Sequence, residues 1–357
     1  MEIHQFATSL SYGDAISDEM LEIRRALKRK GYESEIFSKY YDSRTAKYAR
    51  DFREYPEFSS EKNIVIFHFS IGSPVSKMFF RIPDKKVMIY HNITPYEFFI
   101  NSHRILAKEC YKGRLELKMF ADKVDLALGD SEYNRKELEK AGYPRTGVLP
   151  LLLDLTKFDQ NGDRLTQKIW DRKKTTLLFV SRVAPHKKFE DVVKLFFVYQ
   201  NYFNPESQLF LVGDYRGMEK YYAGLQRLIH KLKLEQVHLT GHVEFSELVS
   251  YFKMSDVYVS MSEHEGFGVP LIEAFYNQIP VIAYEAGAVR ETMNKGGVLI
   301  KDKDLFRTAA LIDRIQQDQD LREKLIASQN KALNKYKKDN VSRILLEQIF
   351  RIKEDAS

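Results

Sequence analysis

"DVYVSMSEHEGFGVPLIEAF", residues 256–275, is the stretch on which the reading of the fold turns. A short run rich in branched and aromatic residues leads into polar Ser262 and Glu263. Gly266 and Gly268 then permit a tight turn with close backbone approach, and Pro270 suits the first turn of a helix expected over 270–277. Strand, turn and helix in that order make one unit of a parallel α/β sheet, because a parallel strand pair needs a crossover between its members.

The same unit recurs on both sides. "TTLLFVSR" (175–182), "SQLFLVGD" (207–214), "QVHLTG" (236–241) and "PVIAYE" (280–285) read as strands, with helices over 190–203, 217–232 and 246–253. Earlier in the chain, "NIVIFHF" (63–69), "KVMIYH" (86–91) and "VDLALGDS" (124–131) are near-continuous apolar runs, as in sheets covered on both faces, and a helix falls near 133–140. After Gly13, the residues Ile16, Met20, Ile23 and Leu27 recur at helical spacing up to a cap at Gly31. Residues 149–175 are polar, lose periodicity past Phe158 and contain Asn-Gly-Asp, so they read as a linker.

The chain is therefore expected to be α/β, with two doubly wound parallel-sheet domains facing a cleft: 1–160, 161–335, and a C-terminal helix, 336–357, packing back on the first domain. At 357 residues it is longer than one core usually grows. Ligands of such sheets bind beyond the carboxyl ends of the strands, so the cleft between the sheets is the place expected for chemistry.

Composition narrows the class. No apolar run approaches the ~18 residues of a spanning helix, and "MEIHQFATSLSYGD" lacks the basic-then-apolar pattern of a signal peptide. A single cysteine, Cys110, rules out an internal disulfide and suggests a reducing compartment. The net charge of +6 is spread over a mixed surface of 56 basic and 50 acidic residues, which gives no basic-aromatic pattern for nucleic acid. The basic stretches at 24–30 and 334–340 read first as solvated helix faces, with an anionic surface as the competing partner. No His/Cys set has metal-ligand spacing, and Asp302 and Asp304 lie in a charged loop, so no metal is expected.

Chemistry should then follow the strand ends. Arg182 offers a planar fork of donors and Lys187 a compact charge, a pair suited to a diphosphate; two solvated loop bases are the bland alternative. Gly266, Phe267, Gly268 and Val269 form the turn before a helix whose N-terminal dipole favours phosphate. Glu273, one turn into that helix, could accept bonds from vicinal hydroxyls of a ribose, or merely offset the dipole. Glu265 would face the other end of such a ligand. His91 at a strand end is either a structural histidine or a contact to a sugar hydroxyl, and Gly13 opens the first helix.

"SEHEGFGVPLIEAFYNQIPVIAY" (262–284) resembles the glutamate-x7-glutamate signature of retaining glycosyltransferases with two Rossmann-like domains, the GT-B type of family 4, the glycosyl transferases group 1. "VSRVAPHKKFEDVV", "LFLVGD" and "LTGHVEFSELVSYFKMSDVYVSMS" are similar to further segments of that family, and "YHNITP" and "LGDSEYNRKEL" fit positions in its first domain. The resemblance covers most of the chain and is strongest over 175–300. It implies a metal-independent hexosyltransferase. Arg182 and Lys187 would hold the donor diphosphate, Glu265 and His91 the sugar, Glu273 the ribose, and Val243 the base. Gly13 and Asp14 would belong to an acceptor and diphosphate loop. The donor would be a GDP- or UDP-hexose, mannose being favoured, with no cofactor beyond it. The acceptor would be a glycan or lipid-linked saccharide in bacterial surface polysaccharide assembly, and the protein would work in the cytoplasm or at the inner membrane face, in peripheral contact with anionic lipid. Two departures stand out: Lys188 replaces the usual glycine after the lysine, and "SYGDAISDEM" has one glycine where two are common. An epimerase or hydrolase on the same scaffold, or a non-catalytic nucleotide or nucleic-acid binder, is the alternative.

Overall fold

A computed structural model describes residues 1–170 and 173–354. The chain divides into two compact units. The first holds Met1–Glu97, Ile105–Asp154 and the C-terminal stretch from Lys335; the second holds Phe98–Arg104 and Leu155–Asn334.

The first unit is built on seven parallel strands: β1 (Ile3–Leu10), β2 (Ile36–Tyr41), β3 (Ala49–Asp51), β4 (Ile64–Phe69), β5 (Lys85–Tyr90), β6 (Leu126–Gly129) and β7 (Thr146–Val148), in the order β3-β2-β1-β4-β5-β6-β7. The second is built on six: β8 (Thr175–Val180), β9 (Ser207–Val212), β10 (Val237–Gly241), β11 (Val257–Ser260), β12 (Val281–Tyr284) and β13 (Val298–Ile300), in the order β10-β9-β8-β11-β12-β13. In each sheet the chain winds outward in one direction and then returns to wind in the other. The reversal falls between β1 and β4 in one sheet and between β8 and β11 in the other, which is the doubly wound topology.

Helices of the first unit are α1 (Ala15–Arg29), α2 (Pro74–Phe79), α3 (Arg104–Met119, entering from the second) and α4 (Glu132–Ala141). The second unit adds α5 (Arg164–Ile169), α6 (Phe189–Tyr202), α7 (Glu219–Lys231), α8 (Phe245–Lys253), α9 (Val269–Tyr276), α10 (Val289–Met293), α11 (Leu305–Gln317) and α12 (Gln319–Leu333), and α13 (Lys338–Glu354) closes the chain. The expected apolar runs all became strands because their side chains are buried on both faces, as in β4, where every residue is buried. Strands β3, β7 and β13 span three residues each, too few for periodicity to register.

The stretch expected to be a linker is ordered along much of its length. Asp163 caps α5 by accepting from Thr166 N at 2.7 Å. Trp170 stacks on Phe210 with centroids 4.2 Å apart. Phe158 packs edge-on against Phe245 and Phe252, so residues from Leu155 onward join the second unit and the boundary falls before 160. A polar run with isolated aromatic anchors reads as a loop in sequence, yet each anchor finds a ring to pack on. Likewise Phe98–Arg104 belongs to the second unit, where Phe98 and Phe99 pack on His186.

Helix α13 is part of the first unit's core. Its Val341, Leu345, Ile349 and Ile352 join Ile3, Ile23, Leu27, Ile64 and Val87 in one buried cluster, and Lys338 pairs with buried Glu22 of α1. Leu345→Ala empties a fully buried position and is expected to cost about 2–5 kcal/mol. Urea unfolding checks this: a midpoint unchanged from wild type would mean that α13 contributes nothing to this core.

Candidate active site at the sheet switch points

The loops after β8 and β11 face each other across the switch point of the second sheet. Ser181 N donates to Val212 O at 3.0 Å and Val183 N to Asp214 O at 2.9 Å, which ties the loop after β8 to the end of β9. A Cβ on Gly213 would lie 1.7 Å from Ser181 O, so only glycine allows that crossing. Arg182, held between these two bonds, is exposed. A short 3-10 turn, Pro185–Lys187, follows. Lys188 then takes the left-handed conformation (φ 52°) as the residue before α6. A side chain there costs about 1–2 kcal/mol, and contacts from Lys188 Nζ to Glu263 (3.2 Å) and Glu190 (3.7 Å) offset it. This is how the chain accommodates a side chain at a left-handed position.

Lys187 Nζ meets Glu265 Oε2 at 2.7 Å, with the two side chains 16% and 12% exposed. The loops are also joined through the backbone, Glu263 N donating to His186 O at 2.8 Å. Lys303 reinforces the junction from beyond β13, donating to Asp191 at 2.7 Å and Glu263 at 2.9 Å. His186 is buried against Phe98 and Phe99. Burial first, then the charges of Lys187 and Arg182 and the neighbouring His264, hold it well below the usual histidine range, so it is a neutral ring between two cations.

The turn that follows is fixed from behind. Ala288 N donates to Glu265 O at 2.9 Å, and Thr292 Oγ1 to Phe267 O at 2.6 Å. Gly287 lies so close that a Cβ would stand 2.3 Å from Glu265 O. Gly268 (φ 95°) precedes α9 and supplies no side-chain cap; Pro270 has no amide hydrogen and Leu271 N donates to Gly268 O at 3.0 Å, so what the helix start offers a ligand is chiefly its dipole. Val269 and Pro270 begin the helix, and Glu273, one turn in, is 8% exposed. Val243 lies in the half-buried loop after β10, at the edge of the sheet.

The first unit gathers its own cluster past β1, β4, β5 and β6. Asp14 accepts from Ser17 N (3.0 Å) and Ser17 Oγ (2.9 Å), so its carboxylate caps α1. Gly13 (φ 77°) is exposed, and a Cβ there would meet nothing within 4 Å. The loop is steadied instead by Tyr12 N donating to Asp42 at 2.6 Å and by Arg44 over the Tyr12 ring. The His91 side chain is only 2% exposed. Its Nε2 lies 3.0 Å from His68 Nδ1, and His68 Nε2 lies 3.0 Å from Gln5 Oε1. Gln5 Nε2 donates to Met20 O at 3.0 Å, which turns the amide oxygen towards His68. His68 Nε2 must then be the donor and its Nδ1 the acceptor, so His91 Nε2 carries a hydrogen. On the other side, His91 Nδ1 stands 3.7 Å from Asp130, a charge contact rather than a hydrogen bond.

Buried Glu19 completes this cluster, with Oε2 3.6 Å from His91 and 3.7 Å from His68. Burial, against the pull of His91 and helped by Asp130, pushes its carboxyl up to about 7. Burial lowers His91, but Asp130 and Glu19 outweigh it and the net shift is upward; burial and the neighbouring His91 hold His68 well below its usual range. Glu19, His68 and His91 bring ligand atoms within 4.8 Å of one another, a possible metal grouping. The two rings, however, lie within 4° of parallel with centroids 5.2 Å apart. With nitrogens 3.0 Å apart that is nearly end to end in one plane, so the nitrogen lone-pair directions oppose each other instead of converging on an ion. The arrangement suits a shared proton.

Each unit thus assembles part of the expected set: Arg182, Lys187, Glu265–Val269 and Glu273 in the second, His91, Gly13 and Asp14 in the first. Glu19, His68, Asp130 and the supporting glycines Gly213 and Gly287 were not anticipated. An acid within the buried stripe of α1, one turn before Ile23, was the available sign for Glu19.

Two parallel sheets, each with loops gathered at its switch point, define a GT-B architecture. Residues 164–332 match the family model for glycosyl transferases group 1. It is 27% identical over 174 residues (48% of this chain, 46% of the relative) to the O-antigen chain mannosyltransferase RfbU of Salmonella typhimurium. It is 27% identical over 191 residues (52% and 47%) to a GDP-mannose-dependent alpha-mannosyltransferase of Mycolicibacterium smegmatis. The matches span about half the length of these curated relatives. The structure of Anabaena HepE in complex with UDP and glucose superposes over 98% of this chain and 100% of its own, with a TM-score of 0.74 at 18% identity.

Two measurements check the site. Gly287→Ala combines a left-handed φ with the 2.3 Å clash on Glu265 O, so it is expected to cost more than the roughly 1–2 kcal/mol of conformational strain alone. Gly31→Ala, at φ 81° with open space around it, is the control carrying strain only. Equal losses in urea midpoint would show that Gly287 does not support Glu265. For Glu19, a folded-state carboxyl at about 7 against 4.5 when exposed means the fold favours the protonated form. Its contribution is present below about pH 4.5 and lost as pH rises through 7. Wild-type stability is therefore expected to fall more between pH 5 and 8 than that of Glu19→Gln, as followed by denaturant midpoints; parallel profiles would refute it.

Proposed function

We propose that the protein is a retaining, metal-independent hexosyltransferase. It moves a hexose, mannose first among the choices, from a GDP- or UDP-sugar to a glycan or lipid-linked saccharide. The observation that carries this reading is the pairing of Arg182 and Lys187 after β8 with the helix N-terminus and Glu273 after β11, across one switch point. Cations and a helix dipole meet where a diphosphate would lie, and carboxylates stand at either end for hydroxyls.

In the proposed reaction the bond from the anomeric carbon to the diphosphate oxygen breaks, and the leaving diphosphate keeps the electron pair. The acceptor hydroxyl attacks from the same face, and its proton passes to the leaving phosphate oxygen, so configuration is retained without a strong base. Arg182, Lys187 and the start of α9 stabilise the charge that builds on the diphosphate. Lys187 has three N–H donors and can keep Glu265 while reaching a phosphate oxygen. Glu265 would orient sugar hydroxyls, Glu273 the ribose and Val243 the base. His91 would meet the sugar, its Nε2 hydrogen committed to His68, and Gly13 and Asp14 would border the acceptor. The names of two relatives favour mannose and one of them GDP, whereas HepE was solved with UDP and glucose, which keeps UDP in view. A lipid-linked acceptor would bring the enzyme to the inner face of the cytoplasmic membrane.

A thermal-shift series with UDP, GDP, ADP and their hexose conjugates tests the donor site. One nucleotide is expected to stabilise the wild type by about 2.7 kcal/mol at a hundredfold excess over its Kd, with the effect lost in Glu273→Ala. Transfer should survive EDTA and preserve anomeric configuration by NMR. Release of free hexose without any acceptor product would favour a hydrolase, and no shift with any nucleotide would remove the reading.

A further inference from the structure

The outer face of α3 is unlike any other helix surface described. Towards the protein body the helix turns Ala107, Cys110, Gly113 and Leu117. It is pressed close, since a Cβ on Gly113 would lie 2.9 Å from Gly72 N and from Ile93 Cδ1. On the outside, Ile105 (73%), Tyr111 (49%), Leu115 (46%) and Met119 (66%) stand exposed. Between them, Lys108, Lys112 and Lys118 are exposed as well. Positions 105, 108, 112, 115 and 119 alternate at steps of three and four, and 111 and 118 lie beside them, so all seven share one side of the helix. No exposed residue on that side is acidic. Glu109 and Glu116 flank it half-buried, Glu109 within 3.3 Å of Lys112 and Glu116 bonded to Ser76.

The basic stretch 24–30 of α1, one of the two for which an anionic surface was the competing partner in sequence, lacks this character. Arg24 and Lys28 pair with Glu35, and Arg25 with buried Glu22. Its charge is largely answered within the protein, and beside its exposed Arg29 and Lys30 stands a single exposed large apolar side chain, Phe350 of α13, against four on α3.

We infer that α3 is an interfacial helix that seats this protein on an anionic lipid surface, its apolar side chains entering the acyl boundary and its lysines reaching the headgroups. The proposal takes up the membrane contact suggested with the function and assigns it to a surface; it does not depend on the donor chemistry. Apolar side chains interleaved with lysines on a single face, a tyrosine among them, are what the headgroup boundary selects. Lysine stems lie along apolar surface while their charges stay wet. A second copy of the chain docked face to face would oppose lysine to lysine, and nucleic acid has no use for exposed Ile105, Leu115 and Met119. No described helix is long and apolar enough to cross a membrane, so the contact would be peripheral.

Co-sedimentation of the full chain with vesicles decides it. Phosphatidylcholine vesicles containing phosphatidylglycerol should bind the protein and lose it as salt rises, while phosphatidylcholine alone should bind it weakly. Leu115→Glu/Met119→Glu and, separately, Lys108→Glu/Lys112→Glu should each lower partitioning about tenfold or more. Arg29→Glu/Lys30→Glu on α1 should leave it unchanged. Circular dichroism and the nucleotide-induced thermal shift, read in solution, establish that each variant is folded and separate failure here from failure of the donor-site reading. Wild type that ignores anionic vesicles, α3 variants that bind as wild type does, or loss confined to the α1 variant would each overturn the inference. So would a wild-type dimer in sedimentation that the Leu115→Glu/Met119→Glu pair dissociates, since a second copy would then be the occupant.

Discussion

Two parallel strands cannot be joined by a tight turn: the chain must leave at the carboxyl end of one and cross over a face to re-enter at the amino end of the next. Every loop after a strand therefore emerges on the same edge of the sheet. Where the winding reverses, two such loops diverge to opposite faces and leave a crevice between them. In the second unit those loops are the ones after β8 and β11, which carry Arg182 with Lys187 and the turn from Glu265 to Glu273. In the first they follow β1 and β4, beside the strand end that carries His91. The location of the chemistry is thus a consequence of strand order, and the local sequence only decides what is placed there.

What is placed in the second crevice is held under tension between charge and burial. Lys187 and Glu265 are mostly buried, and either alone would be costly to desolvate; together, at 2.7 Å, each offsets the other. The surrounding pairs, Lys188 with Glu263 and Lys303 with Asp191 and Glu263, extend the same compensation outward. Arg182 differs. It is exposed and, among the described residues, has no acid within ion-pair distance. The loop therefore offers one cation already used in building the site and one still available to an incoming anion.

Much of this was legible because the apolar periodicity of strands and helices is set by burial, and the switch-point motifs are short and contiguous. Five of the second unit's six strands were read nearly to the residue, β13 being too short to register, and the Gly266–Val269 turn announced itself by its glycines. What escaped depends on partners distant in sequence. Gly287 matters because Glu265 O lies where its Cβ would be, and Gly213 because of Ser181 O; neither neighbour is near in the chain. Phe158 and Trp170 looked like strays in a polar run until Phe245, Phe252 and Phe210 were brought beside them. The exposed face of α3 was hidden for the opposite reason: its apolar residues obey helical spacing as a core face would, and only burial tells which side points outward.

The cluster around His91 shows why a residue's role needs its neighbours. In sequence a histidine at a strand end is ambiguous between structure and chemistry. In the fold its freedom is removed step by step: Met20 O fixes the Gln5 amide, Gln5 fixes the His68 tautomer, and His68 takes the Nε2 hydrogen of His91. Only Nδ1 remains, and it faces Asp130. Glu19, with a carboxyl near 7, lies close to the nitrogens that share the proton, so the charge of the cluster is sensitive to any ligand that alters its solvation. The charge on His91 is then set by Glu19, His68 and Asp130 as much as by His91 itself.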